Sequence, residues 1–349
     1  MSGAPRFLVI RRDNIGDLVC TTPLIAALRA RYPEALIAAL VNTYNAEVIA
    51  NNPHLDCVYA YGKAKHRGES ESLLRTYASR LRLVLEIRRR HFDYAILAAP
   101  GFQPRSLRLA KWVGAKHVVG FTEGVTRAER AIDLAVRYGD SVPRHEVEDV
   151  YRLLGALGID GTPPALQVVP DPALEATMRS KLAERLPGDG PLIGIHISAR
   201  KPSQRWPVER FAGLIRALDE RHGARFVLLW APGSGRNPRH PGDDEKARSL
   251  VDLVSGQRVL AVPTFRLSEL IAALSTCDFV ACADGGAMHL AAALGKPILC
   301  FFGDSSPGRW RPWGVRHELL QHESRDVAAI GVETAAAAFE RLMGPWPIA

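Results

Sequence analysis

Short apolar runs alternate with stretches of helical spacing along the first 160 residues. The runs at 7–10 ("FLVI"), 35–41, 56–61, 93–99 and 117–121 are predicted as strands. Between them, 22–31, 70–91 and the stretch "SLRLAKWVGA" have helical spacing, and a further helix is predicted over 146–158. Strands that are apolar throughout are typical of parallel sheets covered on both faces. The pattern therefore predicts βαβ units in an α/β fold.

The alternation of strands and helices is interrupted at 161–190, which is rich in Pro and Gly. It then resumes, with strands predicted at 192–198, 225–231, 258–262, 279–284 and 297–303. We therefore predict two βαβ domains, 1–165 and 191–325, joined by a linker at 166–190 that contains one helix. A last segment, 326–349, is predicted as a helix that crosses back to the first domain. In tandem βαβ domains, ligands bind at the carboxyl ends of the strands, in the crevice between the domains.

Composition narrows the class of protein. Apolar residues make up 47% of the chain and charged residues 23%, as in soluble globular proteins. The apolar run near the N-terminus spans about four residues, too few for a signal peptide, and no window approaches the length of a membrane span. Five scattered cysteines without a C-x-x-C pair favour reduced thiols and argue against disulfides or a zinc site. We expect a cytoplasmic protein.

Basic residues are concentrated in the first half. The chain carries a net charge of +8, and residues 1–160 hold 23 basic against 17 acidic residues, a difference of +6. The positive potential of this half suits an anionic partner, which could be nucleic acid, an acidic lipid surface or a phosphorylated substrate. The alternative is that coding bias alone produced the arginine-rich composition. The arginine-rich helix predicted over 70–91 is open to the same two interpretations, packing on a sheet or contact with anionic headgroups.

Common nucleotide and catalytic fingerprints are missing. "GSGRNP" at 233–238 has Pro238 where a dinucleotide motif needs a third glycine, and "ALGKP" at 293–297 lacks the earlier glycine of a phosphate-binding loop. There is no H-E-x-x-H, no G-x-S-x-G and no metal-ligand spacing. We therefore predict neither a metal nor a bound cofactor.

The strongest local signal is "CADGGAMHLAAALGKP" at 282–297. A strand ends at Asp284, two glycines turn the chain, and a helix begins whose free N–H groups suit a phosphate. The candidate ligand-binding residues are Asp284, Gly285, Gly286, Ala287 and His289. Two structural alternatives stay open, an N-cap role for Asp284 and a helix-packing role for His289.

A second candidate is the loop "SARKPSQRWP" at 198–207. It follows the first strand of the second domain and carries Arg200, Lys201 and Arg205, three charges that could neutralise a diphosphate. The alternative is a solvated loop with Trp206 packed on the next helix. The loop at 303–314 has a similar polar and aromatic character and follows another strand.

The first strand is followed by "RRDNIGDLVC", which holds more charge than a connector needs. Gly16 allows the turn, and Asp13 and Asp17 are both candidate catalytic carboxylates. Asp13 also suits a turn, because aspartate commonly bonds its own backbone two residues on. Spacing alone does not choose between them.

Together these motifs resemble glycosyltransferase family 9, the ADP-heptose:lipopolysaccharide heptosyltransferases. The matching segments are "IGD" (15–17), "RYP", "FDYAILAA", "VGAKHVVGF", "HEVEDVYRLLGALG", "RWPVERFAGLI" and "ADGGAMHLAAALGKPILCFFGDSSPGRWRPWG". The resemblance covers nearly the whole chain. It implies a GT-B fold, in which two Rossmann-like domains with parallel sheets face a central cleft.

The resemblance also implies a function. Family members move a heptose from ADP-heptose to the Kdo or heptose of the lipopolysaccharide inner core, inverting the anomeric centre without an essential metal. The family's catalytic aspartate matches Asp17, and its ADP-binding segment matches Asp284, Gly285 and Gly286, with Ala287 and His289 beside them.

The acceptor would be an anionic glycolipid at the cytoplasmic face of the inner membrane, held by the first domain, with peripheral contact to the membrane. We predict Arg11, Asp13, Lys63 and Lys65 as its contacts, and no nucleic-acid partner.

The chain departs from the family's pattern at two places, and three other functions stay open. Many members carry a lysine where this chain has Gln204, so Lys201 or Arg205 would supply that charge. The acid expected to hold the donor ribose could be Asp243, Asp244 or Glu245. The rivals are transfer to a protein or another glycan, a GT-B sugar-nucleotide epimerase, and a non-catalytic binding module.

Overall fold

The computed structural model describes residues 3–62, 73–140, 142–235 and 242–344. The predicted acceptor contacts Lys63 and Lys65 lie outside these residues. The chain divides into two compact units, Met1–Gln167 and Val168–Ala349. In the part of the chain described, no helix combines the length and the apolar character needed to cross a membrane.

The first unit is built on a parallel six-stranded sheet. Its strands are β1 (Arg6–Ile10), β2 (Leu36–Asn42), β3 (Cys57–Tyr61), β4 (Tyr94–Leu97), β5 (His117–Thr122) and β6 (Leu134–Arg137). They lie in the order β3-β2-β1-β4-β5-β6. Successive side chains of β1 point to opposite faces of the sheet. Phe7 and Val9 join one buried cluster while Leu8 and Ile10 join another, so both faces are covered as the apolar pattern predicts.

Helices cover both faces of this sheet: α1 (Ile15–Val19), α2 (Thr22–Arg31), α3 (Leu73–Arg88), α4 (Pro104–Val113) and α5 (Glu146–Tyr151). The prediction of a helix at 22–31 is confirmed. The helix predicted over 146–158 instead changes to a 3₁₀-helix at Arg152–Leu157. The short elements α1 and β6 were not predicted.

The second unit repeats the arrangement. Its strands are β7 (Leu192–His196), β8 (Arg225–Trp230), β9 (Val259–Pro263), β10 (Phe279–Ala283), β11 (Ile298–Phe302) and β12 (His317–Gln321). They form a parallel sheet in the order β12-β11-β10-β7-β8-β9. Its helices are α6 (Pro172–Arg185), α7 (Val208–His222), α8 (Asp244–Leu253), α9 (Leu267–Thr276), α10 (Gly286–Ala293), α11 (Pro307–Trp310) and α12 (Val332–Met343).

Helix α12 packs on the second sheet. Phe339 of α12 lies 5.5 Å, ring centre to ring centre, from Phe279 of β10, and it is fully buried in the core of this unit. The expectation that the last segment crosses back to the first domain stays a prediction. Its buried face consists of Ala335, Ala336, Ala338, Phe339, Leu342 and Met343, a stripe that matches the second sheet. The helix predicted inside the linker is α6, which also belongs to the second unit.

Both sheets therefore have the doubly wound order of a Rossmann fold, with the first and fourth strands of each unit adjacent. The strand order reverses between β1 and β4 in one unit and between β7 and β10 in the other. Ligands of open α/β sheets bind outside the carboxyl ends of the strands at this switch point. The segments that follow β1, β7 and β10 carry the candidate residues Asp17, Lys201 and Asp284.

Candidate functional site

Asp17 lies in helix α1, directly after the turn that leaves β1. Its Oδ1 accepts a hydrogen bond from Arg11 Nη2 at 3.0 Å, and its Oδ2 accepts from the Asn14 backbone N–H at 2.7 Å and from Asn14 Nδ2 at 2.9 Å. The side chain is 12% exposed. The carboxylate is thus fixed in orientation and still partly open to solvent.

Arg11 is the buried centre of this loop. It is 2% exposed, and its Nη2 also donates to Glu146 Oε1 at 2.7 Å, while Nε lies 3.2 Å from Asp13 Oδ2. Burial lowers the pKa of the guanidinium, but the carboxylates of Glu146, Asp17 and Asp13 outweigh that effect and raise it. Arg11 was predicted to contact the acceptor. In the structure the side chain is enclosed and serves the loop, and its contact with an acceptor stays a prediction.

Glu146 holds the other side of Arg11 and was missed by the sequence analysis. It opens helix α5, whose N-cap is His145, and its side chain is 1% exposed. A carboxylate in the first turn also interacts favourably with the helix dipole. The signal available in the sequence was the acidic run "HEVED" at a helix start, but nothing there shows which cation it meets.

Residues at the end of β2 fix the backbone of the loop. Asn42 donates to the carbonyl of Arg12, while Tyr44 Oη and Asn45 Nδ2 donate to the carbonyl of Asp13 at 3.0 and 3.2 Å. The Asp13 carboxylate itself is 40% exposed and lies 3.2 Å from Arg11 Nε. Asp13 is therefore the more open aspartate, and Asp17 the more firmly oriented one.

In the second unit, Asp284 follows β10 as predicted. Its Oδ2 accepts from Gln204 Nε2 at 2.8 Å, and the same amide lies 3.2 Å from Ser305 Oγ. Burial raises the pKa of the Asp284 carboxyl. The N-cap of α10 is Gly285 and not Asp284, so the capping alternative does not hold.

Gly285 leaves space in front of the α10 N-terminus. Its φ of +155° is strained for other residues, and a Cβ built on it would meet no atom within 4 Å. Gly286 begins the helix, and Ala287 and His289 are buried behind it. The His289 ring packs edge-on to Trp310 at 5.9 Å. An open helix N-terminus without side chains in front of it suits an anionic group.

The three predicted cations of the loop after β7 have different environments. Arg200 is exposed. Lys201 forms an ion pair with Asp304 at 3.1 Å, and Arg205 donates to the carbonyl of Ala199 at 3.0 Å. This loop touches the one after β11, since a Cβ on Gly303 would lie 2.5 Å from the Ser203 carbonyl oxygen. The loops that follow β7, β10 and β11 thus form one connected surface.

The acids after β8 also differ. Asp244 is engaged on both oxygens, by Trp230 Nε1 at 2.8 Å and by the Gly233 backbone N–H at 2.9 Å. Asp243 is 6% exposed, and its Oδ2 has no hydrogen-bond partner among the described residues. Glu245 is exposed. Among the described residues, no group of three or more His, Cys, Asp or Glu side chains is placed to hold a metal ion.

We predict that His196, the last residue of β7, makes the stability of the protein depend on pH. Burial, with a contribution from the Lys246 charge, lowers its pKa to about 4. In the unfolded chain the histidine takes up a proton near its ordinary pKa of about 6.5. The free energy of unfolding is therefore undiminished above that pH, and it falls as the pH drops toward 4. From pH 7 to pH 5 we expect a loss of about 2 kcal/mol, measured by urea unfolding.

The control for this prediction is a pair of variants. In His196→Asn the loss between pH 7 and pH 5 should shrink by that amount, whereas in His322→Asn, which changes an exposed histidine, it should match the wild type. An unchanged pH dependence in His196→Asn would contradict the prediction.

Comparison with known proteins identifies the family. The model of glycosyltransferase family 9 (heptosyltransferase) matches residues 80–333. The chain belongs to glycosyltransferase family 9. As a member of that family it is a glycosyltransferase of the heptosyltransferase type, and its fold is the GT-B fold of two Rossmann-like domains.

Named relatives agree with this assignment. Lipopolysaccharide heptosyltransferase 2 of Escherichia coli K12 is 26% identical over 93% of this chain and 88% of its own length. Lipopolysaccharide heptosyltransferase 3 of Escherichia coli is 24% identical over 94% and 96%. The solved structure of an E. coli heptosyltransferase with ADP has a TM-score of 0.75 and 19% identity, covering 97% of this chain and 99% of that one. The resemblance stated from the motifs is confirmed.

Proposed function

We propose that this family 9 enzyme transfers a heptose from ADP-heptose to the Kdo or heptose of a lipopolysaccharide inner core, with inversion and without a metal. The observation that carries the proposal is the Asp17 carboxylate, oriented by Arg11 and Asn14 at the switch point of the first sheet. Relatives named as lipopolysaccharide heptosyltransferases support the acceptor class, and one such structure contains ADP.

In this mechanism Asp17 is the general base. An inverting transfer needs the acceptor hydroxyl to attack the anomeric carbon on the side opposite the leaving diphosphate. A carboxylate beside that hydroxyl accepts its proton as the new bond forms, which contributes about 10²–10⁴-fold to the rate. Arg11 and Asn14 hold the carboxylate so that its orientation does not have to be found in each cycle.

The second domain would bind the donor and stabilise the leaving group. Negative charge develops on the ADP phosphates, and the N–H groups at the start of α10 face the space in front of Gly285. Lys201 and the exposed Arg200 add positive charge from the loop after β7. We propose that these groups together supply the neutralisation that many other glycosyltransferases obtain from a divalent cation.

Asp243 is our candidate for the donor ribose. Asp244 already accepts two hydrogen bonds that hold the loop. Oδ2 of Asp243 is a buried acceptor without a partner in the part of the chain that the structure describes, and a ribose hydroxyl would satisfy it. A buried acceptor without a partner is costly, so a ligand that bonds to it gains affinity.

The proposal is tested with the purified chain, a panel of donors and a panel of acceptors. We expect calorimetry to show ADP and ADP-heptose binding more tightly than UDP-, GDP- or dTDP-sugars. With a Kdo-lipid A acceptor or its heptosylated form, mass spectrometry should show addition of one heptose. Product only with a protein or an unrelated glycan, an epimerised sugar without acceptor, or binding without turnover would each support one of the rival functions.

We further propose that the enzyme works in the cytoplasm against the inner face of the membrane. An acceptor that combines phosphorylated sugars with acyl chains is presented at that surface, and the excess of 23 basic over 17 acidic residues in 1–160 suits it. The chain would bind there as a peripheral protein.

A substitution at Gly303 tests the connected loops of the second domain. In Gly303→Ala the new methyl group would collide with the Ser203 backbone and push the loop that carries Lys201 away. We expect the dissociation constant of ADP to rise about tenfold, since losing one hydrogen bond from a charged group costs about 1.5–3 kcal/mol. The matched control is Gly256→Ala, whose methyl group meets no atom within 4 Å, and its ADP affinity should not change. Equal affinity in both variants would contradict the prediction.

A further inference from the structure

Three large apolar side chains are exposed on helices α3 and α4. Leu81 is 60% exposed, Leu85 is 45% exposed and Trp112 is 53% exposed. Single exposed apolar residues are ordinary on protein surfaces, whereas a group of them on adjoining helices marks an interaction surface. The proposed chemistry of Asp17 and of the donor site gives these three side chains no role.

The helical spacing and one hydrogen bond place the three side chains on neighbouring parts of α3 and α4. Leu81 and Leu85 are four residues apart and share one face of α3. Arg88, one turn further along that face, donates from Nη1 to the carbonyl of Trp112 at 3.4 Å. On α4, Arg108 is four residues before Trp112 and lies on the same face. We call the residues Leu81, Leu85, Trp112, Arg82, Arg88 and Arg108 the α3–α4 surface.

The charge around these apolar side chains is almost entirely positive. The sequence of α3 holds four arginines and that of α4 holds two arginines and one lysine, whereas Glu86 is the one acid in the two helices. Arg82, Arg88 and Arg108 are exposed. Long arginine side chains can lie along an apolar surface and still place their charged ends among polar groups.

We infer that the α3–α4 surface docks on an anionic lipid bilayer, with the two helices lying in the plane of the interface. Leucine and tryptophan side chains fit the boundary between headgroups and acyl chains, and the surrounding arginines fit anionic headgroups. Nucleic acid would match the charge but would leave Leu81 and Leu85 exposed. The inference rests on the proposed function in one respect, because it names the surface through which the enzyme meets the membrane that presents its acceptor.

Vesicle sedimentation of the full chain tests the inference. We expect binding to vesicles of phosphatidylcholine with phosphatidylglycerol and much weaker binding to phosphatidylcholine alone. The variant Leu81→Ser/Leu85→Ser/Trp112→Ser should bind the anionic vesicles at least about tenfold more weakly. The variant Arg82→Glu/Arg88→Glu/Arg108→Glu should lose about a hundredfold or more and show no preference for the anionic lipid.

Matched controls come from the second unit. Phe265→Ser removes a side chain that is 76% exposed, and Arg179→Glu/Arg216→Glu/Arg248→Glu makes the same change in net charge at exposed sites. Both should bind vesicles as the wild type does. Equal losses in the controls, or wild-type binding by the leucine–tryptophan variant, would overturn the inference. A change of oligomeric state in that variant without a change in vesicle binding would overturn it in favour of self-association.

A soluble acceptor separates this inference from the proposed function. With ADP-heptose and a deacylated acceptor, the α3–α4 variants should turn over at the wild-type rate, because no bilayer is involved. If heptose transfer is absent from all proteins while the vesicle results are as expected, the proposed function fails and the docking surface stands. If transfer proceeds and the wild type ignores vesicles, the docking surface fails alone.

Discussion

Asp17→Asn should lower kcat by about 10²–10⁴-fold and leave the dissociation constant of ADP within about twofold of the wild type. The amide keeps the shape of the carboxylate and still accepts from the Asn14 N–H, but it cannot take a proton from the acceptor hydroxyl. The rate is measured with a heptose acceptor, and ADP binding by calorimetry. The nucleotide is assigned to the second domain, so its affinity should not follow the rate.

Asp13→Asn is the matched control within the same loop. Asp13 also faces Arg11, at 3.2 Å, but its carboxylate is 40% exposed and is not oriented by Asn14. We expect kcat to fall less than about tenfold. If Asp13→Asn abolished turnover and Asp17→Asn retained it, the base would have to be reassigned to Asp13.

Arg11→Met should lower the free energy of unfolding by about 3–5 kcal/mol. The substitution removes the cation that lies 2.7 Å from the Glu146 carboxylate, whose side chain is 1% exposed. Breaking a buried ion pair from one side costs this much because the remaining charge stays desolvated. Urea unfolding at pH 7 measures the effect.

Two further variants show how the stability of Arg11→Met is to be interpreted. Arg179→Met removes a 63% exposed arginine paired with Glu175 and should change stability by less than about 1 kcal/mol. Arg11→Met/Glu146→Gln should recover part of the loss, since the buried carboxylate that faced Arg11 is then neutral as well. A double variant less stable than Arg11→Met would show that the cost comes from lost packing and not from the charge of the Glu146 carboxylate.

Much of the fold follows from short-range patterns. The strand "FLVI" is buried on both faces and the helix at 22–31 begins with Pro23 in its first turn, so apolar runs and helix signals suffice for β1 and α2. Strands without a continuous apolar run were missed because the prediction depended on such runs. β12, "HELLQ", is an edge strand with only half-buried residues, and β6 is four residues long.

The sequence predicts the turns that carry the candidate site residues, but it does not predict which residues hydrogen-bond to them. The segments around Asp17 and Asp284 stand out because charges and glycines follow apolar runs. The groups that hold them come from distant positions: Glu146 meets Arg11 across 135 positions, and Gln204 meets Asp284 across 80. Local sequence determines a turn, but such pairings depend on strand order, which brings the carboxyl ends of strands together.

The hydrogen bond between Arg11 and Glu146 forms late while the protein is made on the ribosome, because its two partners are far apart in the sequence. Asn42 and Asn45, which fix the loop backbone, emerge soon after Asp17, and the Ala98 carbonyl that accepts from Arg11 emerges later. Glu146 comes last, near the end of the first domain. A nascent chain shorter than this therefore carries Arg11 with Asp13 and Asp17 but without the third carboxylate, Glu146, and the set of contacts around Arg11 is completed only as translation of the domain ends.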